Sequence, residues 1–145
     1  MESWLLYGLL ASLSFGSYIV LTKVATSEKY FGLSPTYVSL FMLIGIAILV
    51  IGNLLFVEGG FPKNKTAITI SVAAGVLWAL GILSSLKALK LGADVSRLVP
   101  IFNTNTLVAV LLGVIFLHEL PTGSELLRVI VGAVFIVLGS VLVAL

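Results

Sequence analysis

Cysteine is absent from this chain, and histidine occurs once, at His118. The first absence excludes disulfides, thiolate nucleophiles and cysteine metal ligands; the second leaves no multi-histidine metal site. Charge is nearly as scarce. Eight basic and six acidic residues make up 10% of the 145 positions, against roughly 25% in a soluble domain. A net charge of +2 is too small to suggest a nucleic-acid partner. All six carboxylates, Glu2, Glu28, Glu58, Asp94, Glu119 and Glu125, lie at the ends of apolar stretches or between them. No titratable acid is therefore placed to carry a proton at mid-membrane. Nor do His, Asp and Glu form a constellation that an intramembrane enzyme would need, so neither an enzyme nor a cofactor is expected.

What the chain has instead is apolar length. Hydrophobic residues make up 60% of it, and the mean hydropathy is +1.26. The stretches 3–22, 30–57, 66–86, 98–117 and 129–145 contain no Asp, Glu, Lys or Arg. Crossing a hydrocarbon core of about 30 Å takes roughly 17–25 apolar residues as a helix, and each stretch is of that order. A transmembrane β-barrel would need alternating segments of about ten residues, which the run Phe41-Met42-Leu43-Ile44-Gly45-Ile46 does not provide. The expectation is an all-α membrane protein of the cell membrane, one domain of five transmembrane helices over about 3–25, 35–57, 66–89, 95–117 and 125–145. The first segment opens on Met1-Glu2 without a basic region, so it reads as a retained helix rather than a secretory signal.

Turn chemistry sets these limits. Thr26-Ser27-Glu28-Lys29-Tyr30 with Gly32 breaks the first helix, and Ser34-Pro35 supplies an N-cap and a first-turn proline for the second. Glu58-Gly59-Gly60-Phe61-Pro62, Leu91-Gly92-Ala93-Asp94 and Pro121-Thr122-Gly123-Ser124 separate the remainder. Lys23, Lys29, Lys87, Lys90 and Arg97 fall on one side of the membrane, and Lys63, Lys65 and Arg128 on the other. The positive-inside rule makes the first side cytoplasmic, with the N-terminus out and the C-terminus in. The bias is small, which leaves dual insertion open.

Helices in lipid associate through small residues and interhelical hydrogen bonds. Gly8, Ser12 and Gly16 on helix one, Gly45 and Gly52 on helix two, and Gly132 and Gly139 on helix five read as packing seams. Another face of helix one carries Tyr7, Ser14, Tyr18 and Thr22, and helix three aligns Ser71, Gly75, Trp78 and Ser85. Each hydroxyl could simply bond its own helix, but two polar stripes together suggest a cavity. Trp78 lies mid-span, away from the interfacial belt that usually holds membrane tryptophans.

Helix four is the most unusual, with Arg97, Pro100, Asn103, Thr104, Asn105 and Thr106 inside ten residues. Pro100 has no N–H and crowds the Ser96 carbonyl, so the helix should kink or open near its first third. Asn103 lies roughly 12 Å along from Val95, at about 1.5 Å per residue, where an amide must find partners or water. Asn103 and Asn105 point about 200° apart on a regular helix, so helix four is expected to be buried from two sides. Lys23 and Lys90 suit the C-terminal dipole and can snorkel to the interface, whereas Lys87 and Arg97 are candidates for a charge at the cavity mouth.

Taken in order, Ser14-Phe15-Gly16-Ser17-Tyr18 followed by Lys23, Ala88-Leu89 before Gly92-Ala93, Pro100, Gly113 with Glu119, and Gly132 with Gly139 resemble a known pattern. They are similar to the EamA domain of the drug/metabolite transporter superfamily over the whole chain. The resemblance implies a half-transporter unit moving small metabolites by alternating access, through a cavity lined by helices one, three and four. Most members carry two such units in inverted orientation, which implies here a homodimer, parallel or antiparallel. The four-helix exporters of that superfamily carry a glutamate in helix one; this chain has serines and apolar residues there, which argues against proton-coupled cation export.

The leading expectation is thus a transporter or facilitator for an amino acid, sugar or nucleoside. Ser14, Tyr18, Trp78, Asn103 and Thr106 would bind the substrate, Lys87 and Arg97 would flank it, and Pro100 would break the helix. A non-transporting membrane subunit, whose polar residues only join helices, is the alternative.

Overall fold

The computed structural model describes residues 3–58, 61–118 and 123–144. Among them there are helices and no strands: α1 (Ser3–Thr26), α2 (Pro35–Leu54), α3 (Lys65–Lys90), α4 (Val95–Phe102), α5 (Asn105–Phe116) and α6 (Ser124–Ala144). Five segments are long and apolar enough to cross a membrane, with α4 and α5 sharing the fourth. The chain packs as two compact units, Met1–Gly92 and Ala93–Leu145.

Helix limits follow local chemistry. Pro35 starts α2 after an extended Ser34. Asn64, whose side chain accepts a bond from the Ala67 N–H at 3.1 Å, starts α3. Gly92, at φ 101°, ends the turn after α3, where Leu91 donates to Lys87 and Gly92 to Leu89. The second helix stops at Leu54, three residues short of the expected 57, and Leu55, Phe56 and Val57 close it with short turns.

In the first unit α1, α2 and α3 touch one another, and their buried residues gather near the α1–α2 loop. Ile19, Thr22, Thr26, Ser27, Val38, Ile82, Leu86 and Leu89 are all buried there, while Tyr7, Leu49 and Leu77, toward the other end, are exposed. The polar members are satisfied locally: Thr22 Oγ1 donates to the Ile19 carbonyl and Thr26 Oγ1 to that of Thr22. Gly32, at φ 63°, donates to the Ser27 carbonyl at 3.0 Å. Lys90, the last residue of α3, clasps this loop. Its Nζ lies 2.7 Å from Glu28 Oε1 and 2.9 Å from the Gly32 carbonyl. Lys23 Nζ reaches the Leu89 carbonyl at 3.5 Å, so both lysines tie helix ends together instead of extending only toward the interface.

In the second unit α4 packs on α6. Along α5 the two helices part, and an apolar groove of about 370 Å³ lies between Leu107, Val110 and Leu111 on one side and Val129, Ala133 and Val137 on the other. The α5 helix ends with His118 at φ 56°, a left-handed residue in the place that glycine usually takes.

Among the described residues, nothing in the same unit fills the glycine positions expected to form packing seams. A Cβ built at Gly8, Gly16, Gly45, Gly52, Gly132 or Gly139 meets nothing within 4 Å. At Gly32 it would stand 2.7 Å from Glu28 Oε2, on a left-handed backbone. Gly32→Ala should therefore cost about 1–2 kcal/mol for its backbone alone, lowering Tm in detergent by about 4 °C or more. Gly75→Ala, in open helix, should leave Tm unchanged or raise it slightly; equal Tm values for the two variants would contradict this.

Candidate functional site

Three of the expected binding residues belong to the first unit. Ser14 and Tyr18 stand one turn apart on α1. Ser14 is exposed, and its Oγ donates to the Leu10 carbonyl of its own helix at 2.9 Å. That bond spends the hydroxyl proton but leaves a lone pair free to accept. Tyr18 is half-buried against Val38, Ile82 and Leu86. Its ring meets that of Phe15 edge-on, with centroids 6.1 Å apart. Trp78 is 46% exposed in mid-α3 and lines a crevice of about 180 Å³ with Ser39, Met42, Ile46 and Ile82. Ile82 borders both the Trp78 crevice and the cluster under Tyr18, so the two aromatics adjoin the same core.

Asn103 and Thr106 belong to the second unit, at the break in the fourth span. Thr104 donates to Ile101, Thr106 to Asn103 and Leu107 to Thr104, each a three-residue bond where an α-helix makes four-residue ones. The backbone opens at Asn103-Thr104, three residues after the proline, rather than bending at Pro100 itself. Asn103 ends α4, and Asn105 begins α5. Asn103, Asn105 and Thr106 are all exposed. Within the second unit, burial of this span is one-sided and confined to α4. A helical wheel does not carry across the break, and α6 packs against α4 while leaving α5 open. Lys87 is exposed in the last turn of α3 and Arg97 in the first turn of α4.

Two features escaped the sequence reading. Ser140 is buried on α6, and its Oγ lies 2.7 Å from the Pro100 carbonyl; one serine within an apolar helix gives no sign of such a partner. The α5–α6 groove is lined by leucine, isoleucine, valine and alanine, which are indistinguishable in sequence from a lipid-facing surface.

Five apolar spans among the described residues, one of them broken at an amide-rich turn, define a multi-pass integral membrane protein. The chain belongs to the EamA-like transporter family, whose profile matches residues 2–145. It is 31% identical over 142 residues to the glucose uptake protein GlcU of Staphylococcus xylosus, covering 97% of this chain and 46% of that one. It is 33% identical over 103 residues to a protein of Priestia megaterium named "Probable glucose uptake protein GlcU", covering 70% of this chain and 35% of that one. A Bacillus cereus protein of the same name is 40% identical over 83 residues, 57% of this chain and 29% of its own. The chain thus spans about half or less of the length of these relatives. No solved structure gives a significant match.

Tyr18 allows packing and chemistry to be separated. Tyr18→Phe should keep Tm, because the contacts are made by the ring. Tyr18→Ala should cost about 1–2 kcal/mol, below the 3–5 kcal/mol of a fully buried aromatic. A Phe variant as unstable as the Ala variant, by thermal unfolding in detergent, would show that the hydroxyl holds the fold.

Proposed function

We propose that this chain is a five-helix transport domain for a small neutral sugar of the glucose class, working by alternating access in the cell membrane. The observation that carries the reading is that 97% of the chain aligns with a glucose uptake protein. The chemistry of the candidate residues suits such a cargo. Hydroxyls and amides at Ser14, Asn103 and Thr106 can exchange hydrogen bonds with sugar hydroxyls, and Tyr18 and Trp78 offer aromatic faces to its C–H edges. Lys87 and Arg97 would flank the entrance, where a neutral cargo needs no countercharge.

Transport would involve a second copy of the chain, in antiparallel orientation. Support comes from the near balance of basic residues across the membrane and from the open glycine stripes on α1, α2 and α6. The competing reading, a non-transporting subunit, draws on the hydroxyls of Ser14, Ser17, Ser71, Ser84 and Ser85, which all donate within their own helices.

Purified protein in liposomes should take up radiolabelled D-glucose faster than protein-free vesicles. Asn103→Ala should slow that uptake about tenfold, the loss of roughly one or two hydrogen bonds, while Val108→Ala should not. Wild-type uptake no faster than the protein-free rate would favour the subunit reading. For the pair, mixed Phe31→Cys and Phe61→Cys proteins should cross-link to each other, because an antiparallel partner brings opposite span ends together. Cross-links between like positions alone would overturn that orientation.

A further inference from the structure

The break in the fourth span takes the usual backbone donor from more than one carbonyl, that of Pro100 among them. In an uninterrupted helix the Thr104 N–H would bond Pro100; here it turns to Ile101 at 3.2 Å. A carbonyl released inside an apolar span has no lipid donor to turn to and must be met by the protein or by a water-filled cavity. Ser140 meets that of Pro100. Its hydroxyl is buried, 7% exposed, and its Oγ is 2.7 Å from Pro100 O.

The same Oγ lies 2.7 Å from the Ile136 carbonyl of its own helix. A hydroxyl has one proton for these two acceptors. The Ile136 carbonyl already receives the regular Ser140 N–H of α6, whereas that of Pro100 has lost its backbone donor, so the proton belongs with Pro100. Pro100 O in turn has two alternative donors. With Ser140 Oγ the span stays open at Asn103-Thr104; with Thr104 N–H it becomes continuous.

We infer that Ser140 is the positioning residue for the Asn103 end of the transport site. It holds the fourth span in its open form from across the α4–α6 contact, so that Asn103 is presented beyond the last turn of α4. Replacing the hydroxyl lets Thr104 reclaim the Pro100 carbonyl, which winds the break shut and turns the Asn103 amide away. The inference rests on the sugar-transport reading for its consequence, but its structural half stands apart from transport.

The test exploits the absence of native cysteine. Spin labels at Ser96→Cys and Leu112→Cys flank the break, and an unbroken helix would set these Cα atoms about 24 Å apart at ~1.5 Å per residue. By pulsed electron resonance in liposomes, Ser140→Ala should shift the distance distribution toward that of a continuous helix, and Ser140→Thr should keep the native one. In D-glucose uptake, Ser140→Ala should raise KM about tenfold with a smaller effect on the maximal rate per folded protein, and Ser140→Thr should restore KM. A loss of folded protein alone, with distances and KM unchanged in the fraction that folds, would overturn the positioning role. So would a native distance distribution in Ser140→Ala. If the distances shift as expected while the wild type moves no glucose, the role of Ser140 at the break holds and the sugar reading fails.

Discussion

A backbone polar group inside lipid has no water to bond, so each must be paired within the protein. Most of this chain meets that demand by the simplest means, uninterrupted α-helix. Side-chain hydroxyls in the spans do the same, donating back to carbonyls one turn earlier. The fourth span is the exception. Proline removes one donor, Asn103-Thr104 interrupts the ladder, and a serine on another helix covers the Pro100 carbonyl, one of those released. Irregular backbone survives at membrane depth only where protein or a watered cavity surrounds it, and such a place is where a transporter has polar groups to offer.

The two units meet the demands of packing differently. In the first, burial is concentrated near the α1–α2 loop, where Lys90 joins Glu28 and Gly32 across 58 residues or more of sequence. An exposed ion pair contributes little by itself; the bond to the Gly32 carbonyl adds a partner for a group at a tight turn. In the second, α6 follows α4 and separates from α5. Under the proposed reading, recognition would fall to neutral groups, because the fourteen charged residues stay at span ends and loops. Neutral hydroxyls, amides and aromatic faces are suited to a polyhydroxylated, uncharged molecule, which agrees with the proposed sugar cargo.

The five spans were legible because charge is costly in lipid and leaves a clear gap wherever a helix crosses. The proline break near the first third of the span was legible too, though not the residues at which it opens. Pro100 marks where a donor is missing, but the ladder gives way at Asn103-Thr104, where side chains that compete for backbone bonds follow. Ser34-Pro35 announced α2 through fixed backbone angles, while Asn64, the cap of α3, was overlooked among loop residues. The glycine stripes were readable as close-approach surfaces, but sequence could not say that they stay open among the described residues of their own unit. Ser140 was invisible for a deeper reason: its partner is a carbonyl 40 residues away, freed by an event in another helix.

The most direct measurement of this account is aqueous access at the break. In the naturally cysteine-free chain, Asn103→Cys in liposomes should react with a membrane-impermeant thiol reagent, and saturating D-glucose should slow the labelling. A cysteine placed at Leu142, on an exposed apolar face of α6, should remain unlabelled. Complete protection of Asn103→Cys from both sides of the membrane, with and without sugar, would contradict a transport cavity at the fourth span.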